Sequence, residues 1–130
     1  TAQQRLLQRY VEAFWRKDVD TIVSLLPAEA VWEMPPFTSW FRGRESIAWL
    51  IGNECPGGAS DMPMLPTTAN GQPAFGLYMR EPGGGGFVPF QLQVLEFAGE
   101  EEVGHVTAFF DQRLFEAFGL PLSLPADWTP

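Results

Sequence analysis

At 130 residues the chain has room for one compact domain, residues 1–130, long enough to bury roughly two-thirds of its unfolded surface without disulfides or a structural metal. Sixteen acidic against eight basic residues give a formal charge of −8, which argues against a phosphate-binding surface and so against direct nucleic-acid binding. One cysteine, Cys55, forms no intrachain disulfide and no multi-cysteine zinc site, and no apolar run approaches the ~20 residues of a membrane span. With no signal-peptide pattern at its start, the sequence reads as a cytoplasmic chain with no membrane partner.

Thr1 and Gln4 have the spacing of a capping box, and Leu6, Leu7, Tyr10, Val11, Phe14 and Trp15 then recur at helical intervals. A second, short helix is expected after Asp18 as its cap, with Val19, Ile22, Val23 and Leu26 inward and Pro27 just past its end. Residues Ala30 to Met34 are rich in strand formers and stop at Pro35-Pro36. Gly43 to Ile51 reads as a third helix, with Gly52 as its terminator.

Beyond the Pro56-Gly57-Gly58 loop the period changes from helical to alternating. Strands are expected over Met62–Ala69, Pro73–Arg80, Phe87–Phe97 and Glu102–Asp111, with Asn70-Gly71 as a tight hairpin turn. A short helix over Leu114–Phe118, ended by Gly119, and an irregular tail from Pro121 complete the chain. Consecutive hairpins predict an antiparallel sheet, and the order of elements predicts an α+β fold in which that sheet curves around the N-terminal helices.

Glycines 83–86 tempt a phosphate-loop reading, but an aromatic strand follows where a helix and a lysine would be needed, so a hairpin loop is expected. His105 is the only histidine and no carboxylate spacing resembles a ligand set, so no metal and no cofactor is expected. The last strand is more informative. His105, Thr107, Phe109 and Asp111 share one face, and on the preceding strand Gln91 and Gln93 alternate with Phe90, Leu92 and Val94. Polar rows among rings are the composition of a small-molecule pocket if both face the concave side, and of an ordinary wet face if they point outward; parity alone does not choose.

Asp111 likewise has two readings, an N-cap for the last helix or a buried general base, and these pull its pKa in opposite directions.

The stretches Ala30-Val31-Trp32-Glu33-Met34-Pro35-Pro36, Trp40-Phe41-Arg42-Gly43-Arg44 and Phe118-Gly119-Leu120-Pro121, with the two opening helices, resemble a SnoaL-like domain of the NTF2-like superfamily. Within it, Ala69-Asn70-Gly71-Gln72-Pro73-Ala74 and the segment from Thr107 to Leu120 look most like the C-terminal domain of extracytoplasmic-function RNA polymerase sigma factors. This resemblance implies a cone-shaped barrel with one deep apolar pocket, a homodimer through the sheet, and a regulatory role beside sigma regions or RNA polymerase. The chain would then be a fragment of a longer protein or a stand-alone relative.

The expectation carried forward is that Trp32, Met34, Trp40, Gln91, Gln93, His105, Thr107 and Phe109 converge on one cavity that takes a small apolar or aromatic molecule. The rival is a cofactor-independent enzyme of cyclase, lyase or isomerase type, with Asp111 as base and His105 or Gln93 holding the developing oxyanion. Positions where isomerases of the fold carry acids hold Met34 and, roughly, Gln93, which favours binding over turnover.

Overall fold

The computed structural model describes residues 1–38 and 40–130. Helix α1 (Ala2–Arg16) opens with the capping box: the Thr1 hydroxyl accepts from the Gln4 N–H at 3.1 Å while the Gln4 side chain accepts from the Thr1 ammonium. It ends at Lys17, whose left-handed φ of 52° turns the chain into α2 (Val19–Ser24). Asp18 caps α2 through both the N–H and the hydroxyl of Thr21. Helix α3 (Arg44–Asn53) starts where the spacing places it but runs through Gly52 to a cap at Glu54, whose N–H donates to Leu50 O at 2.9 Å and so carries the helical bonding past the glycine. The short helix α4 covers Arg113–Ala117.

Six strands, β1 (Val31–Glu33), β2 (Trp40–Arg42), β3 (Met64–Ala69), β4 (Gln72–Arg80), β5 (Phe87–Ala98) and β6 (Glu102–Phe109), form one sheet in the order β2-β1-β6-β5-β4-β3. The fold class is α+β, as expected. Two features of the sheet differ from the expected form. It is mixed, because β1 lies parallel to β6 with Trp32 beside Val106, and it is open, with β2 and β3 as edges. Strand β2 has no counterpart in the sequence reading; three residues are too few to show alternation, and it exists because it pairs antiparallel with β1. At Asn70-Gly71, φ values of 52° and 79° give the tight turn joining β3 to β4.

The register decides which side chains share a face. Gln93 lies opposite Ala108, Leu95 opposite Val106, and Phe75 opposite Gln93, so these point toward the helices. There Phe75, Leu95 and Val106 join Tyr10, Phe14, Ile22, Trp32, Ile47 and Met64 in the main core. Leu92, opposite Phe109, and Val94, opposite Thr107, point the other way.

A second, smaller core lies beyond that outer face, where α4 and the tail bring Phe115, Leu120 and Leu124 against Tyr78, Phe87 and Leu92. Part of the tail is held by backbone pairing: Phe87 and Leu124 exchange bonds of 2.9 and 3.0 Å, and the Tyr78 hydroxyl donates to Pro121 O at 2.6 Å.

Candidate functional site

A cavity of about 490 Å³ opens between α1, α3 and the inner face of the sheet, a size typical of small-ligand sites. Phe14 and Trp32 stack at 6.3 Å on one wall, Trp49 and Leu50 come from α3, and Met34 and Phe41 come from β1 and β2 and their connection. Phe90 and Phe110 meet edge to face at 5.4 Å, and Phe110 meets Phe37 in the same way at 5.5 Å. Phe37 and Trp49 are 61 % and 53 % exposed, which marks the mouth.

Phe90 and Gln91 are sequence neighbours that both line this space, contrary to simple alternation. The reason is a bulge: Leu77 pairs with Gln91 and Tyr78 with Pro89, leaving Phe90 as the extra residue that turns the strand locally.

Inside, the polar groups form a short relay. The Tyr10 hydroxyl donates to Gln93 Oε1 at 2.6 Å, and Gln93 Nε2 donates to Gln91 Oε1 at 2.8 Å. Tyr10 and Gln93 are fully buried, and burial pushes the Tyr10 phenol well above its ordinary pKa, so it stays a neutral donor. At the rim, Lys17 donates to the carbonyls of Cys55, at 2.7 Å, and Gly57, tying the end of α1 to the loop after α3. Burial raises the pKa of the Cys55 thiol against a smaller lowering by Lys17, so Cys55 is present as a neutral thiol.

The structure does not bring all the expected residues together. Trp32, Met34 and Gln91 line the cavity, and Gln93 stands behind Gln91. Trp40 pairs with Glu33, is 54 % exposed, and carries the Arg42 guanidinium over its ring at 5.2 Å on the outer face. His105 also points outward, between Glu33, which its Nε2 contacts, and Glu96, 3.8 Å from its Nδ1. Thr107, Phe109 and Asp111 line a separate outer groove with Pro35, Leu92 and Val94. Convergence on one cavity therefore fails for the His105 row. Each strand's parity was legible, but only the register, which sets Gln93 against Ala108, shows that the glutamine and histidine rows occupy opposite faces.

Strand β6 ends at Phe109, so Asp111 lies outside it, and the helix cap position is Gln112. The Asp111 carboxylate accepts from the Arg113 backbone N–H at 3.0 Å and from its guanidinium at 3.0 and 2.9 Å. These bonds from Arg113 hold its pKa below the ordinary value. That is the opposite of what a buried base needs. Missed by the sequence reading were Phe37, Phe41, Trp49, Phe90 and Phe110 as lining and Tyr10 as the anchor of the relay; the single rings next to Pro36 and Gln91, Phe37 and Phe90, were the available signal.

The two carboxylates with lowered pKa, Asp18 through Thr21 and Asp111 through Arg113, predict an acid limb of stability. Each binds fewer protons folded than unfolded, so its contribution is present above the unfolded-state value of about 3.9 and is lost as pH falls through the lower folded value. In urea titrations from about pH 6 to pH 2, Asp111→Asn should be less stable than the parent at the upper end and converge with it at the lower end. A gap that stays constant across that range contradicts the assignment.

No family model matches the chain. Over 122 residues, 93 % of its length, it is 49 % identical to the ECF RNA polymerase sigma factor SigG of Mycobacterium tuberculosis, in both strain CDC 1551 / Oshkosh and strain ATCC 25618 / H37Rv. The match spans 32 % of SigG, so the chain covers about a third of the length of these curated relatives. In structure it is similar to an NTF-2 like protein of unknown function from Burkholderia xenovorans, with a TM-score of 0.67 and 16 % identity over 99 % of this chain and 94 % of that one. A candidate ketosteroid isomerase from Kribbella flavida gives 0.66 and 17 %, covering 85 % of this chain and 78 % of that one. A candidate polyketide cyclase from Xanthomonas campestris gives 0.60 and 16 %, covering 91 % and 98 %. The fold is NTF2-like, and the sequence is homologous to part of an ECF sigma factor. No helix among the described residues is long and apolar enough to cross a membrane.

Proposed function

We propose that this chain is a sigma-factor-type regulatory domain that binds a small apolar or aromatic molecule in the cavity between α1, α3 and the sheet. The homology to part of SigG supports the transcriptional setting, with sigma regions or RNA polymerase as the partners that respond to occupancy. The observation that carries the binding reading is the cavity itself, about 490 Å³ walled by Phe14, Trp32, Phe41, Phe90 and Phe110. An aromatic ligand there gains apolar burial and edge-to-face contacts, and enclosing one further ring contributes on the order of 1.5–3 kcal/mol.

Catalysis is the weaker reading. Proton transfer needs a titratable group beside the substrate, and among the described lining residues these are Glu54, exposed at the mouth, and Cys55, kept a neutral thiol by burial. Asp111 and His105 face the outer side, each already paired.

The test uses prodan, a neutral naphthyl ketone whose emission shifts to the blue in apolar surroundings. Saturable binding with a blue shift is expected for the parent, and Met34→Trp, which places an indole in the cavity, should abolish it. Binding undiminished in a folded Met34→Trp variant removes this cavity as the site.

A further inference from the structure

The relay behind Gln91 bears on what the cavity accepts, an inference that rests on the binding reading above. Every fully buried side-chain nitrogen and oxygen among the described residues has a hydrogen-bond partner. Gln91 is only 5 % exposed and lines the cavity, yet its Nε2 has no partner among the described residues, so this N–H group reaches the open space.

Its orientation is dictated from behind. Tyr10 is wholly buried, and its hydroxyl has Gln93 as its one side-chain partner among the described residues. The phenol proton must therefore go to an oxygen of Gln93; that turns the Gln93 nitrogen toward Gln91, and the Gln91 oxygen toward Gln93. With the chain reversed, the Tyr10 proton would be buried without an acceptor. What remains pointing into the cavity is a donor.

The charge around this donor narrows the ligand further. Among the described lining residues there is no lysine, arginine or histidine, and the one charged side chain, Glu54, is negative. Lys17, whose ammonium reaches the backbone of the lining residue Cys55, is engaged by the carbonyls of Cys55 and Gly57. A carboxylate ligand would be desolvated against rings with no cation to offset it, whereas a neutral carbonyl needs one donor and finds one.

We propose that Gln91, held by Tyr10 and Gln93, is the specificity-determining residue of the cavity, and that the ligand is a neutral aromatic or polycyclic molecule carrying a carbonyl or equivalent acceptor on its buried end. Tyr10 and Gln93 are positioning residues.

The experiment is displacement of prodan from the parent chain and from Gln91→Leu and Tyr10→Phe by four competitors: 2-acetylnaphthalene, its hydrocarbon counterpart 2-isopropenylnaphthalene, 2-naphthol and 2-naphthoate. Comparing the ketone-to-hydrocarbon affinity ratio between proteins cancels the different hydration of the two ligands. That ratio should fall about tenfold in Gln91→Leu. In Tyr10→Phe, Gln93 is free to turn and Gln91 can present its oxygen, so the ketone loses ground while 2-naphthol gains. 2-Naphthoate should compete far more weakly than the ketone in the parent. An unchanged ratio in Gln91→Leu, or 2-naphthoate competing as well as the ketone, overturns the proposal. If Tyr10→Phe does not unfold cooperatively, Gln91→Leu decides alone. A parent chain that takes up no prodan at all refutes the cavity reading, and this inference with it, an outcome distinct from binding without preference.

Discussion

Trp32→Ala is expected to cost about 3–5 kcal/mol of stability, the range for deleting a large buried aromatic side chain. The indole is 3 % exposed, stacks on Phe14, and sits between the positions of Phe41 and Val106 in the register of the sheet. A folded domain commonly has only about 5–15 kcal/mol to lose, so this single change approaches the limit the chain can survive. Because the ring also lines the cavity, any molecules that still fold should bind prodan at least about tenfold more weakly, from the loss of contact with one ring. Urea unfolding of parent and variant, read by circular dichroism, measures the first effect. A loss below about 1 kcal/mol would mean that Trp32 is not packed as described.

Gly86→Ala should detach the C-terminal segment. A methyl group at Gly86 would stand 2.4 Å from the carbonyl oxygen of Leu124, the residue that exchanges backbone hydrogen bonds with Phe87. A backbone oxygen cannot rotate aside as a side-chain end can, so the tail must lift at a cost of about 1–3 kcal/mol. Trp128 would then lose its edge-to-face contact with Trp15, now at 5.6 Å, and tryptophan emission should shift to the red. Gly52→Ala is the control. Gly52 lies within α3 with nothing within 4 Å of the added carbon, so helix propensity alone should raise stability by about 0.5–1 kcal/mol. A Gly86→Ala chain as stable as the parent, with unchanged emission, would contradict the packing of the tail.

What the sequence revealed divides along the range of the interactions involved. Caps and turns are decided within a few residues, so Thr1 with Gln4, Asp18, and Asn70-Gly71 were legible from spacing alone. The long strands were also readable, within a residue or two at their ends. Strand β2 was not, since Trp40-Phe41-Arg42 becomes a strand only through pairing with β1, and the parallel alignment of β1 with β6 joins segments some seventy residues apart. The candidate site failed at the same point. Gln91 and Gln93 were singled out by their polarity within an apolar strand, and the structure gives that polarity a physical reason in the bond to Tyr10. His105 and Thr107 were grouped with them because alternation on one strand says nothing about which parity on the next strand shares its face. The bulge that adds Phe90 to the cavity is equally invisible to a period of two.

Residue-resolved nuclear magnetic resonance of the labelled chain titrated with prodan reads directly which face of the sheet a ligand occupies. The inner and outer faces of the sheet carry separate reporters: the Gln91 side-chain amide and Trp32 indole on the cavity, Trp40 and Thr107 outside it. Saturable shifts of the Gln91 amide and Trp32 indole signals are expected, while Trp40 and Thr107 stay fixed. Shifts confined to Thr107, Phe109 and Trp40, with Gln91 and Trp32 unmoved, would contradict binding in the cavity.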